Sequence, residues 1–177
     1  MKRVLNYHFA FVTCLVLVAG CSTPALFPPD IAKNSTSLEF GALEAKPDIF
    51  NGRVVQVAGR IVEVEKADGG TLILAHELPL VKHPAYGPAE TSKPTSAFAI
   101  LYPGKVEPNA LWSGNKFVVI AVAQGEQTVV VDGIPRIEPY MVAQCMHVWK
   151  TGDNDISDFP YVGDSYYPLE QQTYCAK

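Results

Sequence analysis

The chain carries no excess of positive charge: 14 lysines and arginines stand against 18 aspartates and glutamates. Lys2 and Arg3 are two of the 14, so residues 21–177 hold 12 basic and 18 acidic residues, about −6. Nucleic-acid binding needs cations that neutralise phosphates, and docking on anionic lipid needs a polybasic face; this balance argues against both. No apolar run is long enough to cross a bilayer. Crossing takes roughly 20 apolar residues in a helix, and Phe9 to Val18, interrupted by Thr13, falls well short. A Gly-x-Ser-x-Gly elbow is missing, and so is a glycine-rich loop of the kind that cradles phosphate. No internal repeat is present. Charged residues are few, 18% against 48% hydrophobic, which describes a folded globule rather than a disordered chain.

What is present at the N-terminus reads as an address. Lys2 and Arg3 form a positive n-region, and Phe9 to Val18 forms a short apolar h-region, as in a secretion signal. Leu17-Val18-Ala19-Gly20-Cys21 follows, with small residues at the two positions before a cysteine. This matches the lipobox of bacterial lipoprotein precursors. Small side chains let a peptidase reach the bond between Gly20 and Cys21, and only a thiol takes the diacylglyceryl thioether. Each buried methylene contributes about 0.8 kcal/mol, so one acyl chain is marginal and two or three hold firmly. Ser22 stands where an aspartate would retain many bacterial lipoproteins in the inner membrane, which points to the outer one.

Cysteine is scarce as well. Of four cysteines, Cys14 leaves with the signal and Cys21 takes the lipid. Cys145 and Cys175 remain in an oxidising compartment, where they either pair or stay apart as a buried thiol and a loose end.

Residues 22–37, with Pro24, Pro28 and Pro29, read as a tether. Residues 38–46 suit a short helix stopped by Pro47. From Arg53 the period is two: Val55, Val57, Gly59 and Ile61 alternate with Val54, Val62 and Val64 in one long strand, with a bend or bulge expected at Gly59. Asp68-Gly69-Gly70 turns the chain into a strand over Thr71 to Ala75. Further strands are expected at Ala97 to Tyr102, Phe117 to Ala123, Thr128 to Val131 after a turn at Gly125 to Gln127, and Met141 to Trp149. A helical turn is expected near Pro108 to Trp112. Five to six short strands around a bent first strand predict a mainly β fold, a small OB-like β-barrel with short helical segments, over an open sandwich. The predicted organisation is a signal peptide at 1–20, a lipidated N-terminus and tether at 21–37, the barrel domain at 38–150 and a polar, aromatic tail at 151–177.

Side chains with chemical potential are scattered. His76, His83 and His147 lack the spacing of a metal site. Asp153, Asp155 and Asp158 make an acidic loop, but a calcium loop would want glycine and glutamate where Asp158 and Asp164 stand. Glu63 and Glu65 share one strand face with nothing nearby to raise either pKa. Phe98, Tyr102 and Trp112 are candidate ligand contacts that would stack on sugar or peptide, unless they serve as core and rim packing. No catalytic residue, metal or cofactor is assigned.

Several segments resemble the Slp family of starvation-inducible outer-membrane lipoproteins. Pro47 to Ile61 resembles the family's approach to its first strand, and Leu78-Pro79-Leu80 the segment after its first hairpin. Gly104-Lys105-Val106-Glu107-Pro108 resembles a stretch usually written Gly-Phe-Leu-Asp-Pro. Phe117 to Gly125 and Val148-Trp149 resemble later strands. Ala58, Ala121 and Lys105-Val106 depart from the common pattern. The resemblance implies an outer-membrane lipoprotein linked to stationary phase, starvation or acid stress, and offers no catalytic residues to carry over. The expected function is a non-enzymatic role in envelope maintenance or stress response, with the domain facing the periplasm and a membrane or envelope protein as partner. The alternative is a lipid-tethered module binding a glycan, peptide or small ligand; a cell-wall hydrolase ranks last.

Overall fold

The computed structural model describes residues 25–37, 39–81, 86–91, 96–131, 133–163 and 165–176. The signal segment, the Gly20–Cys21 bond and Cys21 itself lie outside these residues, as does His83.

Five strands carry the domain. They are β2 (Val54–Ala67), β3 (Gly70–Leu78), β4 (Ala97–Tyr102), β5 (Lys116–Val131) and β6 (Ile134–Trp149). β2, β3 and β4 form an antiparallel meander, β4 pairs in parallel with β6, β6 pairs antiparallel with β5, and β5 returns to pair with β2. The result is a ring with the order β2-β3-β4-β6-β5-β2, which is OB-like. A short β1 (Thr36–Ser37) runs parallel to the start of β2, and β9 (Gln171–Cys175) adds to β6.

The period-two pattern explains why these residues form a ring. Val55, Val57 and Ile61 of β2, Ile73 and Ala75 of β3, and Phe98 and Ile100 of β4 point inward, where they meet Phe117, Val119, Met146 and Val148. Alternate residues point outward and would leave apolar faces in water. Two coverings prevent this. Ala58, Val118, Ile120 and Trp149 on the outside of β2, β5 and β6 lie under Phe27 from the N-terminal segment and Ile156 and Leu169 from the C-terminal one. Leu74 and Ala99, outside β3 and β4, lie under Val129 of the long β5–β6 hairpin.

Gly59 stands where the ring closes. Ala58, Gly59 and Arg60 pair with β3 on one side and with β5 on the other. A Cβ on Gly59 would come 2.8 Å from the His76 carbonyl oxygen and 2.9 Å from the Phe98 ring. The glycine therefore allows close approach rather than a bend. The β2 bulge lies two to three residues on, where the register shifts between Ile61 and Glu63.

Four sequence expectations change. Gly125 to Gln127 is no turn: β5 runs through, and the ladder shifts between Ala123 and Glu126 as a bulge, with Gly125 at φ 78°. β6 starts at Ile134, through Pro135 and Pro139. Proline is tolerated there because that stretch pairs with β5 alone; β4 joins β6 only at Tyr140. Residues after Lys150 are integral to the domain, since β9 pairs with β6 over Cys145–Trp149 and Ile156, Leu169 and Tyr174 are buried. Likewise residues 25–37 pack on the domain instead of hanging free of it, through Phe27, a helix at Pro29–Ala32, and β1.

One buried cation ties the outside segments to the ring. Lys116 is fully buried, and its Nζ donates to the Asn154 carbonyl at 2.7 Å and to Asp155 Oδ1 at 3.0 Å. It also pairs with Glu90, which accepts from Arg60 at 2.9 Å. The Lys116 ammonium holds the Asp155 carboxyl below its ordinary range. The acidic loop is thereby committed to structure: the Asp155 amide donates to Asp158 Oδ2 in a capping box over Ile156–Asp158.

Replacing Gly59 with alanine tests the ring closure. Alanine in a strand ordinarily gains about 0.5–1 kcal/mol over glycine. Here the methyl meets a backbone oxygen that is fixed by the β2–β3 ladder, and overpacking of this kind costs about 1–3 kcal/mol. The urea midpoint of Gly59→Ala should fall; an unchanged or raised midpoint refutes the close approach.

Candidate functional site

Where β1 and β3 take turns along one edge of β2, they leave a cleft. β1 pairs with Val55 and Gln56, and β3 pairs from Ala58 onward. The cleft, about 500 Å³, opens at this junction between Ser37, Glu39 and Phe40 on one side and Glu77, Pro79 and Leu80 on the other, with Val57 and Ala58 also lining it. Phe40 and the helix at Phe40–Ala45 are fixed from beneath, because Phe40 packs on Phe98 with ring centroids 5.1 Å apart. Gly41 also lines the cleft, and a Cβ there would meet nothing within 4 Å.

The electrostatics of the cleft are acidic. Burial, and then the nearby Glu44 charge, raises the Glu77 pKa. Glu138 on the neighbouring hairpin is raised as well, mainly by burial, with Arg136 opposing and Glu44 adding. The described lining therefore offers two carboxylates and an apolar wall, and no histidine, cysteine or cation. That arrangement suits recognition of a ligand with an apolar body and donor groups more than nucleophilic chemistry.

The residues proposed from sequence to contact ligand are not brought together. Phe98 is wholly buried inside the ring, between Phe40 and Phe117. Tyr102 is buried too, 1% exposed, and burial raises its pKa. Trp112 is 67% exposed, just beyond the 3₁₀ turn at Pro108–Leu111. The β3–β4 register decides this, since it turns Phe98, Ile100 and Tyr102 inward together. Phe98 and Tyr102 are thus core side chains with no open face for a ligand. Glu63 and Glu65 border a shallow gap beside Leu74 and Val129. His76 is exposed.

A second constellation lies on the β6–β9 seam. Cys145 and Cys175 are register partners and are joined by a disulfide. Two residues along, His147 is buried, with Nδ1 2.7 Å from the Thr173 hydroxyl and Nε2 3.2 Å from the Gln171 amide. The Thr173 hydroxyl in turn donates to the Leu26 carbonyl at 2.9 Å. With that proton committed, the ring hydrogen at Nδ1 donates to the Thr173 hydroxyl. His147 also packs edge-on against Trp149, with centroids 4.4 Å apart. Burial lowers the His147 pKa to about 4, with the Gln171 contact opposing. The imidazole thus sits at the point where the N-terminal segment, β9 and the ring meet. Its sequence signal was weak: a lone histidine in a strand, with partners in the alternation Gln171-x-Thr173 near the far end of the chain. The cleft left no sequence signal, because it forms where β1, from a separate segment, meets the far end of the β2–β3 hairpin.

These features define a small, mainly β, OB-like domain whose N-terminal segment is bonded into its surface. Residues 18–174 match the outer membrane lipoprotein Slp family, and the chain belongs to that family. It is accordingly an outer-membrane lipoprotein, associated with a membrane. No curated protein and no solved structure matches it at a significant level.

The His147 environment predicts acid sensitivity of a definite sign. The unfolded chain takes up a proton near pH 6.5 and the folded chain only near 4, so stability from the neutral ring is complete above 6.5 and is lost as pH falls toward 4. By pH 4.5 the loss amounts to about 2–3 kcal/mol. His147→Gln removes this titration while other groups titrate in both proteins. The stability difference between wild type and variant, from urea melts, should therefore shift in favour of the variant between pH 7.5 and 4.5. A difference constant with pH rules the mechanism out.

Proposed function

We propose that the mature protein begins at Cys21, is held in the outer membrane by acyl chains on that residue, and works on the periplasmic side without catalysis, in envelope maintenance under starvation or acid stress. The observation that carries this reading is the lipobox ending at Cys21, inside a family match that begins at residue 18. The charge of residues 21–177, about −6, supports it, since acyl chains must then supply the membrane affinity. The apolar wall of the cleft, Val57 and Leu80 beside Glu39 and Glu77, supports a binding or scaffolding role. An envelope protein partner fits this role, and no cofactor is needed for it.

The direct test is fractionation. A Cys21→Ala precursor should remain unacylated and leave the outer-membrane fraction. If it fractionates like wild type, the anchoring assignment fails.

The cleft favours a second reading, in which the domain holds a glycan, peptide or small ligand between Glu39, Glu77 and the apolar wall of Val57 and Leu80. Gly41→Trp fills the open space beside that wall. A ligand from glycan and peptide libraries should raise the melting temperature of wild type, and the rise should vanish in Gly41→Trp. No rise with any library member would remove this reading.

A further inference from the structure

The C-terminal segment carries an aromatic surface that neither the ring nor the cleft uses. Residues 159–169 read Phe-Pro-Tyr-Val-Gly-Asp-Ser-Tyr-Tyr-Pro-Leu, with one charged residue among eleven. Part of it folds as a small hairpin, β7 (Tyr161–Val162) against β8 (Ser165–Tyr166). Its inner residues are anchored: Leu169 is buried, Phe159 and Tyr166 pack on the outer cluster of Val118, Ile120 and Trp149, and the Tyr166 hydroxyl donates to the Tyr86 carbonyl at 3.0 Å. Tyr161 stacks edge-on with Tyr86 and Tyr166, at 5.3 and 5.1 Å. Its outer residues are left in water: Tyr167 is 68% exposed, Val162 62%, and Tyr86 and Tyr161 41% each.

The chain itself says what faces this surface. Leu26 packs on the same outer cluster as Tyr166, and its carbonyl is held by Thr173. Leu26 lies five positions after Cys21, a span of at most about 17 Å when fully extended. Leu26, Phe159 and Tyr166 all pack on that one cluster, so acyl chains on Cys21 would attach on the side of the domain that carries the hairpin. Tyrosine, with an apolar ring and a polar hydroxyl, is the side chain enriched where hydrocarbon meets headgroups. Neutral aromatics also suit an acidic domain that gains nothing from anionic lipid.

We propose that the β7–β8 hairpin, through Tyr161, Val162 and Tyr167 with Tyr86 beside them, rests in the headgroup region of the bilayer and fixes the orientation of the domain on the membrane. This proposal rests on the acylation of Cys21. The Val130, Ile134 and Ile137 side chains are also exposed, on the β5–β6 hairpin whose Val129 covers Leu74 and Ala99 outside β3 and β4, and serve as the comparison.

The test uses full-length acylated protein in vesicles of phosphatidylethanolamine and phosphatidylglycerol, part of it brominated on the acyl chains. In a Trp112→Phe background, Trp149 is buried and gives a constant signal, and a reporter is placed by Tyr167→Trp or by Ile137→Trp. Quenching of the reporter at 167 should exceed that at 137 by about twofold or more, as expected of a side chain at the interface. Adding Tyr161→Ser and Val162→Ser should reduce quenching at 167 while the protein still floats with the vesicles. Equal quenching at the two positions, or stronger quenching at 137, overturns the proposal and leaves the anchor intact. Protein that does not float with vesicles at all overturns the anchor, and the proposal with it.

Discussion

The whole architecture turns on one close approach, at Gly59. Three residues of β2, Ala58 to Arg60, carry ladders on both edges, and this double pairing closes the ring. At its centre the backbone carbonyl of His76 and the rings of Phe98 and Phe117 converge on a position with room for a hydrogen and nothing larger. Because β2 must serve two partners, it is long, it is apolar on both faces along part of its length, and it bulges after Ile61 to keep both registers. The interior then fills with alternate residues of every strand, and Phe98 and Tyr102 go to the core as a consequence.

A ring that small leaves apolar residues on its outside as well, and the chain covers them with its own ends. The N-terminal segment crosses the outer face of β5 and β6 by way of Phe27, and the C-terminal segment returns over the same face through Ile156 and Leu169. Polar links hold both in place: the buried Lys116 ammonium gathers Asn154, Asp155 and Glu90, and the chain His147–Thr173–Leu26 joins the seam to the N-terminal segment. The Cys145–Cys175 bond fastens the last strand beside that seam. Residues 25–37, within the stretch read as a tether, are consequently part of the domain surface.

Much of the ring was legible beforehand. The alternating run from Val54, the turn at Asp68-Gly69, the strand at Ala97–Tyr102 and the 3₁₀ turn beginning at Pro108 are local patterns, set by residues within a few positions of one another. The failures are those of local reasoning. Gly125 has the composition of a turn, yet pairing with β6 on both sides of it makes it a bulge. Pro135 and Pro139 speak against a strand, yet among the described residues that stretch pairs with β5 alone, which removes the objection. The tail after Lys150 has no period, yet Gln171–Cys175 finds β6. The candidate site fared worse than the fold. Glu39 and Glu77 are 38 positions apart, and the cleft between them exists only because β1 and β3 share one edge of β2.

By itself, the sequence determined the mainly β character and the family membership, because each is written in contiguous residues and their order. Only the tertiary structure decided which face each aromatic took, that His147 would be buried and neutral, and that both chain ends would pack on one outer surface. The physical reason is that side-chain direction in a strand has a period of two, so register fixes inside from outside, and register is set by partners far away in the chain.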